Sequence, residues 1–490
     1  MAASVDSNNG HMGLAPVESL ANGSNGYVTD AILTNTPNAD GVAAGGLAGS
    51  TQTWTGTYNI NALEALACAV DMDANKVWFR IGSNWVNAGS GAGDPSAGTN
   101  PAVSGGINYN KTYHFITSAY AQNHYVNFGQ RPFAYTPPTG FKKLNTYNLP
   151  DSMIKDGSQY FDIVLYTGNG GTNAITGVGF SPDFVWYKRR NLAADNNLFD
   201  TIRGATKWLS SNKTNAETTI SDSLTSFDSD GFTLGADGGS NASGSTFVAW
   251  NWRASGSSPV TNTNGTITST VSANTTSGFS IATFTGNGLT AQTIGHGLSQ
   301  PTELYIWKRL DAAENWGVET YGIDGTADFL TLNTTNAKAD SGTVGEYLST
   351  STTQYISFAG AGLNSNGGNY VVYSFHSVEG YSKIGSYTGN GSADGPFVYT
   401  GFDVKFLLYK NADAAISWVL YDNVRDPNGN PQSYYLFPNS SGAEGTTPDA
   451  VDFLSNGFKI RYPNASINVS GQTHIYMAFA ENPFKNSLAR

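Results

Sequence analysis

The chain has 490 residues, of which 39% are hydrophobic and only 13% are charged, with a net charge of −12. This composition is sufficient for packed cores, suggests about three or four domains and excludes a disordered chain. It also argues against a nucleic-acid-binding protein, which needs clustered basic residues to replace counterions on phosphates. Ser, Thr, Asn and Gly supply most of the polarity, which is typical of β-rich extracellular or virion proteins.

Residues 1–54 show neither the basic start nor the apolar segment of a signal peptide, and no stretch of the chain approaches the about 18 apolar residues of a membrane span. We therefore expect no membrane insertion, assembly in the cytoplasm and an N-terminal arm over residues 1–54 that serves attachment. The chain has a single cysteine, Cys68, in the segment "LEALACAVDMD". We expect it to be a buried and unreactive thiol.

Residues 55–150 contain, at 65–86, an alternating segment, "ALACAVDMDANKVWFRIGSNWV", that predicts a β-hairpin with its turn at "DMDAN". This segment ends in "GSNWV", and "NFGQRPF" and "PPTGFKKLN" follow in order. Together, these pieces resemble the C-terminal half of a SPRY domain, and the resemblance covers roughly residues 55–145. It implies a concanavalin-like β-sandwich over residues 55–150.

The remainder of the chain carries one pentapeptide three times: "YTGNG" at 166–170, "FTGNG" at 284–288 and "YTGNG" at 387–391. After each comes an apolar strand that ends in aromatic-Lys, at Lys188, Lys308 and Lys410. An Asn-x-x-x-Ala motif and an aromatic strand then follow. This periodicity predicts three divergent copies of one β module, at residues 158–254, 279–378 and 379–486. The predicted fold class is all-β, with sandwich or jelly-roll modules.

Two joints connect the copies. Residues 255–278 are rich in Ser, Thr and Asn, so they are either a linker or a strand that bridges the first two copies. The second joint, "VEGYSKIG", leaves almost no spacer. We therefore expect the second and third copies to pack tightly and the first copy to melt separately.

The SPRY-like part and the repeats together resemble virion proteins of marine tailed bacteriophages, and the likeness is carried by "VEGYSKIGSYTGNGSADGPFVYTGF", "FLSNGFKIR" and "YMAFAENPFK". The resemblance implies a structural component of the virus particle. The implied partners are capsid, tail or neck proteins, further copies of the chain, with a trimer as one expected form, and a glycan of the host surface.

Few motifs indicate chemistry. The glycine-rich pentapeptides lack the third glycine of a dinucleotide fingerprint, and their triplication favours a structural turn. Asp71 and Asp73 do not continue into a calcium loop, and Asp228 and Asp230 lie in a sequence that favours a hairpin turn over a paired-carboxylate site. The six histidines have no metal-ligand spacing. We expect no catalytic residue, cofactor or metal.

Aromatic residues are numerous, with 10 Trp, 26 Tyr and 25 Phe. Three of them lie beside predicted turns and are candidates for an exposed surface on which sugars stack: Trp85, Tyr135 and Trp316. The alternative is that they belong to the core or to a subunit interface.

The sequence thus favours a non-enzymatic part of a phage particle, such as a tail fibre, a tail appendage or a capsid-decorating fibre, with a role in host recognition. One alternative is a carbohydrate-binding adhesin. A further alternative, a polysaccharide-degrading tailspike enzyme, needs two facing acids that no motif supplies.

Overall fold

The computed structural model describes residues 2–4, 11–16, 32–35, 44–47, 52–53, 65–86, 91–105, 107, 113–118, 125–145, 148, 151–323, 325–340, 349–356, 363–426, 429–464 and 466–485. The chain divides into two compact units, Met1–Pro150 and Asp151–Arg490. Both consist of antiparallel sheets, so the predicted all-β sandwich class is confirmed.

The described strands of the N-terminal unit form two sheets. The strand order of one is β11-β1-β6-β7-β8, with β9 beside β7, and that of the other is β10-β2-β3-β4-β5. The strands are β1 (Ala2–Ser4), β2 (His11–Pro16), β3 (Ile32–Asn35), β4 (Ala44–Leu47), β5 (Gln52–Thr53), β6 (Ala65–Asp71), β7 (Lys76–Ile81), β8 (Asn84–Trp85), β9 (Val103–Ser104), β10 (Tyr113–Ser118) and β11 (Tyr125–Asn127). Residues 1–54 supply β1 to β5, which differs from the expected separate arm.

The core of this unit lies on one face of the predicted hairpin. Cys68, Val77 and Phe79 are buried there, and Tyr113 and Phe115 of the second sheet pack against them. In the observed register Cys68 lies opposite Phe79 and Val70 lies opposite Val77, and a shift of the pairing by one residue would separate these apolar neighbours.

The second unit contains the three copies. The first copy has a 3-10 helix (Gly157–Gln159), a short helix α1 (Gly238–Asn241) and β12 (Phe161–Thr167), β13 (Asn173–Thr176), β14 (Phe184–Arg189), β15 (Asn196–Asp200), β16 (Lys207–Trp208), β17 (Thr218–Thr219), β18 (Leu224–Asp228), β19 (Gly231–Leu234) and β20 (Thr246–Trp252). The second copy has β21 (Val260–Asn262), β22 (Ser269–Asn274), β23 (Phe279–Thr285), β24 (Thr293–Gly295), β25 (Leu304–Arg309), β26 (Gly317–Thr320), β27 (Asp328–Thr331), β28 (Ala339–Asp340), β29 (Thr353–Tyr355) and β30 (Asn369–Phe375). The third copy has β31 (Ser382–Thr388), β32 (Phe397–Tyr399), β33 (Phe402–Asn411), β34 (Val419–Asp422), β35 (Gln432–Tyr435), β36 (Gly445–Leu454), β37 (Gly457–Ile460) and β38 (Thr473–Pro483).

One sheet of each copy repeats the same strand order. It is β12-β20-β14-β15 in the first copy, β23-β30-β25-β26 within the larger sheet of the second, and β31-β38-β33-β34 in the third. In each case the strand with the pentapeptide pairs with the last strand of its copy. We call these three the inner sheets.

Both faces of the inner sheets are buried. On β14, Trp186 belongs to a central cluster that all three copies share, whereas the adjacent Tyr187 belongs to a separate core of the first copy. On β20, Trp250 and Ala249 divide in the same way. Because one face packs against the other copies and the other face against the copy's own outer sheet, these strands read as nearly continuous apolar runs.

The copies are linked in a closed ring. The indole nitrogen of Trp316 in the second copy donates to the backbone oxygen of Ser210 in the first, at 2.7 Å. Trp418 of the third copy donates in the same way to Thr331 of the second, at 2.9 Å. The third contact closes the ring, since the side-chain amide of Asn196 in the first copy donates to Ser440 O of the third at 3.1 Å. These three donors follow Lys188, Lys308 and Lys410 by the same eight residues.

Backbone hydrogen bonds repeat the pattern between the same pairs of copies. They join Glu217 N to Leu310 O at 2.8 Å, Lys338 N to Ala412 O at 2.7 Å and Glu444 N to Arg190 O at 2.8 Å. The first copy is therefore packed against both others, and the contact between the first and third copies does not depend on sequence adjacency. The second and third copies are in contact, as expected, but the first copy has comparable contacts with both, which argues against its separate melting.

Two further features concern the ends of this unit. Residues 255–278 contain β21 and β22, which extend the sheet of the second copy, so the strand alternative applies to this segment. The ammonium group of Lys485 lies 2.5 Å from a carboxylate oxygen of Asp151, which brings the two ends of the unit together.

Candidate functional site

The three pentapeptides are structural turns. In each, the second glycine has a positive φ, of 72° at Gly170 and Gly288 and 68° at Gly391, as predicted. The central asparagine of each turn exchanges hydrogen bonds with a buried asparagine from the segment before the last strand of the copy. The pairs are Asn169 with Asn241, Asn287 with Asn364, and Asn390 with Asn468.

The acidic candidates also have structural partners. Asp230 accepts hydrogen bonds from the backbone amides of Gly177 and Gly179, and Asp228 accepts from the hydroxyl groups of Ser226 and Thr233. These bonds occupy both carboxylates within a hairpin turn, in agreement with the turn interpretation.

Asp71 has the same kind of role in the N-terminal unit, where it accepts from the backbone amide of Ala74 at 2.9 Å within the β6–β7 turn. Asn75 of the same turn has a φ of 53° and accepts from the amide of Ile107. The turn is thus held by its own side chains.

Two buried ion pairs occupy equivalent places in the first and third copies. Arg203 donates to Asp200, and Arg425 donates to Asp422, each at 2.5 Å. Burial alone lowers the pKa of either guanidinium, but the adjacent Asp together with Glu217 beside Arg203 and Glu444 beside Arg425 outweighs this effect, so both pKa values lie above the ordinary value. The sequence repeat "LFDTIR" and "LYDNVR" marks these positions.

The repeated lysines are fully buried. The ammonium group of Lys188 donates to Ser441 O in the third copy, and that of Lys308 donates to Thr214 O in the first, each at 3.2 Å. Burial lowers the pKa of Lys188, Lys308 and Lys410 to about 8. A buried lysine of this kind could serve as a nucleophile, but Lys188 and Lys308 bond to another copy, whereas Lys410 donates to Ala414 O within its own copy at 2.8 Å.

Within the described ranges, no group of three or more His, Cys, Asp and Glu side chains lies close enough to hold a metal ion. The same part of the chain has no helix that is both long and apolar enough to cross a membrane.

The N-terminal unit contains a cavity of about 470 Å³, which lies in the size range of small-molecule sites. Its walls come from β6, β7, β8, β10 and the segment 133–145. That segment is fixed in place by the ring of Phe141, which packs edge-on against Trp78 at 6.0 Å, and by a hydrogen bond from Thr139 N to the hydroxyl of Ser96. We call this cavity the aromatic groove.

Arg80 lies between two of the predicted site residues. Its guanidinium carbon is 5.5 Å from the ring centre of Trp85, its cross-strand neighbour, and 4.2 Å from that of Tyr135. Two of its nitrogens donate to the backbone oxygens of Gly82 and Ser83. Nη1 has no hydrogen-bond partner among the described residues. Burial lowers the pKa of Arg80 from its ordinary value, and the guanidinium remains charged at neutral pH.

The lining of the aromatic groove is basic. It contains Arg80, Lys142 and Lys143, and none of its described residues is acidic. This is unusual in a chain with 37 acidic and 25 basic residues. The lining also contains Asn145, whose Oδ1 is buried and accepts no hydrogen bond among the described residues. The groove therefore offers positive charge and aromatic surface, and its wall contains one buried acceptor without a partner among the described residues.

Cys68 also lines the groove, but the thiol is 7% exposed and burial raises its pKa to about 12. It is thus a neutral thiol rather than a nucleophile, because the thiolate is the reactive form.

The structure brings together Trp85 and Tyr135 but not Trp316. Tyr135 is 37% exposed, whereas Trp316 is completely buried in the central cluster of the ring. The expectation that Trp316 is exposed is wrong, because its indole fills a position between two copies. Arg80 was not singled out from sequence. The sequence feature that could have indicated it is its position in "KVWFRIGSNW", two residues before the turn that leads to Trp85 on β8.

Comparison with known proteins gives one match. No curated protein and no solved structure shows significant similarity to the chain. A family model described as a domain of unknown function, DUF7483, matches residues 156–483, which cover the three copies and about two thirds of the chain. The chain therefore belongs to the DUF7483 family, and the ring is the part that defines its membership.

Proposed function

We propose that the chain is a non-enzymatic structural component of a tailed phage particle, either a tail fibre or appendage or a capsid-decorating fibre. The observation that carries this proposal is the closure of three copies into one ring around a shared aromatic core. In this ring the repeated polar side chains, including the asparagine pairs and the buried ion pairs, are used within the fold. This use of polar groups suits a scaffold rather than a catalyst.

The resemblance of "VEGYSKIGSYTGNGSADGPFVYTGF" and "YMAFAENPFK" to marine phage virion proteins supports the same assignment, as does the weakly charged surface rich in Ser, Thr, Asn and Gly. The resemblance of residues 55–145 to a SPRY domain is part of this proposal. The proposed partners are neighbouring capsid, tail or neck proteins and further copies of the chain.

A second role, recognition of a host-surface glycan, is favoured by the aromatic groove. Arg80, Trp85 and Tyr135 form a surface with both aromatic rings and a charged hydrogen-bond donor, which suits a sugar. The groove and the ring belong to different units, so one chain would combine a recognition module with a scaffold.

The experiment that tests the structural role is immunogold electron microscopy of purified particles, with antibodies raised against the full chain. Labelling at a regular position on intact particles is expected. Particles that infect normally but carry neither label nor the protein in their mass-spectrometric inventory would contradict the proposal.

A further inference from the structure

We infer that the aromatic groove of the N-terminal unit binds a saccharide that carries carboxylate groups, such as an oligomer of a hexuronic acid. The inference deepens the recognition role proposed above and rests on that role for the choice of a saccharide. The chemistry of the site, by contrast, comes from the groove itself.

The first argument is charge. The lining has three cationic side chains and no described acid, in a chain whose net charge is −12. In a chain with this net charge, a positively charged wall favours an anionic ligand, since a neutral ligand lacks the charge–charge attraction to it.

The second argument is the geometry of Arg80. The rings of Trp85 and Tyr135 hold its guanidinium, and two backbone oxygens fix its orientation. A guanidinium presents a planar set of donors that matches a carboxylate, and Nη1 retains its donors for that purpose. Because the side chain is already ordered, little conformational entropy is lost when a ligand binds.

The third argument concerns hydroxyl groups. The buried Oδ1 of Asn145 lacks a donor among the described residues, and leaving such an acceptor unpaired costs roughly 1–3 kcal/mol. A ligand hydroxyl that displaces the atoms covering this oxygen would satisfy it. An anionic ligand that also brings hydroxyl donors and an apolar ring face is an acidic sugar, whereas an acidic peptide brings no hydroxyl groups unless it contains Ser, Thr or Tyr.

The test is isothermal titration calorimetry of the full-length protein with a trimer of galacturonic acid. The fully methyl-esterified trimer is the neutral probe, and triglutamate is the acidic peptide probe. We expect saturable binding of the free acid that weakens at high ionic strength, and at least tenfold weaker binding of both other probes. No saturable binding of the free acid, or equal binding of the ester or of triglutamate, would overturn the inference.

Three variants locate the site. Arg80→Gln and Lys142→Gln should each weaken binding of the free acid, by at least tenfold for Arg80→Gln. The exposed Lys142 side chain makes the second variant safe for folding. Arg131→Gln is the matched control, since Arg131 is exposed in the same unit but lies outside the lining. If Arg131→Gln weakens binding as much as Arg80→Gln does, the groove is not the site. Because these measurements use purified protein, their outcome is independent of particle labelling.

Discussion

The hydroxyl of Tyr373 in the second copy donates a 2.8 Å hydrogen bond to Asp200 in the first copy, and both side chains are buried. The equivalent strand position in the first copy is Trp250, whose indole nitrogen donates at 3.0 Å to Asp422 of the third copy. In the third copy this position is Met477, which has no donor. The second copy has Thr320 where the others have Asp200 and Asp422. Asp200 and Asp422 thus each accept a hydrogen bond from a side chain of another copy. The third pair of positions, Met477 and Thr320, has neither this donor nor an acid.

The first prediction follows from this bond. Tyr373→Phe removes the donor to a buried carboxylate, so we expect a loss of about 1.5–3 kcal/mol in the free energy of unfolding. Tyr381→Phe is the matched control, because the hydroxyl of the equally buried Tyr381 has no partner among the described residues. Its expected effect is within about 0.5 kcal/mol. Urea denaturation measures both, and equal losses would contradict the assigned role of the bond.

The second prediction concerns the cooperativity of the ring. Trp418→Phe removes the hydrogen bond to Thr331 and leaves a void between the second and third copies, at a cost of roughly 2 kcal/mol. Because the central cluster is shared, amide exchange should accelerate in β14, β25 and β33 alike, as followed by hydrogen-exchange mass spectrometry on the full chain. Faster exchange in the third copy alone would show that the copies open independently.

The third prediction concerns the repeated turn. A Cβ atom added at Gly168 would lie 2.2 Å from the backbone oxygen of Ala242, so Gly168→Ala must displace the segment that carries Asn241. We expect a loss of about 2–3 kcal/mol in stability. Gly238→Ala, where a Cβ would meet no atom within 4 Å, should change stability by less than about 0.5 kcal/mol. Thermal unfolding distinguishes the two, and a neutral Gly168→Ala would disprove the tight packing of the turn.

The fourth prediction concerns pH. His296 is buried, its Nδ1 accepts from the amide of Leu298, and its Nε2 donates to the oxygen of Thr350. The ring is therefore neutral, and burial lowers its pKa to about 4. Between the ordinary value of about 6.5 and this value, the unfolded chain binds a proton that the folded chain does not, so stability falls as pH falls through this window.

The expected contribution of His296 to this fall is roughly 2–3 kcal/mol. His296→Gln should therefore show a smaller decrease in unfolding free energy between pH 7 and pH 4.5 than the unchanged protein, whatever its stability at pH 7. Parallel pH profiles for the two proteins would refute the assignment. His474 is also buried with its pKa lowered to about 4 and should act in the same direction.

The sequence predicted the modules well because each copy repeats local signals. The pentapeptides, the strands that end in lysine and the asparagine motif occur at similar spacing, and the recurring Asn212, Asn333 and Asn439 do share a role. The side chain of each accepts a hydrogen bond from the backbone amide of the residue that links its copy to another copy. These residues are Asn196, Trp316 and Trp418, respectively. The pairing of Asn241 with Asn169 was not predicted, because the two residues are 72 positions apart and no local sequence pattern marks Asn241.

The ring itself could not be predicted from the joints between copies. The long joint between the first and second copies suggested that the first copy packs separately from the others. The packing of the copies is decided instead by which faces of their sheets are apolar. In "TFVAWNW", Ala249 belongs to the outer core of the copy and Phe247 stacks on Tyr166 beside that core, while Trp252 faces the central cluster, so two cores rather than one explain the apolar run. Trp316 was a candidate for the surface because it lies beside a predicted turn, and a turn can also be covered by another copy. The aromatic groove was not predicted for a different reason. Arg80 and Tyr135, which both line it, are far apart in sequence.

The contact between Lys485 and Asp151 has a consequence for how the ring can be used. A body whose entry and exit points coincide can be inserted into a surface loop of another protein without pulling that loop apart, because its ends already meet at the distance that a short loop spans. The same geometry permits circular permutation, in which the two ends are joined and the chain is opened elsewhere. The contact between its two ends thus gives the ring the geometry that both operations require.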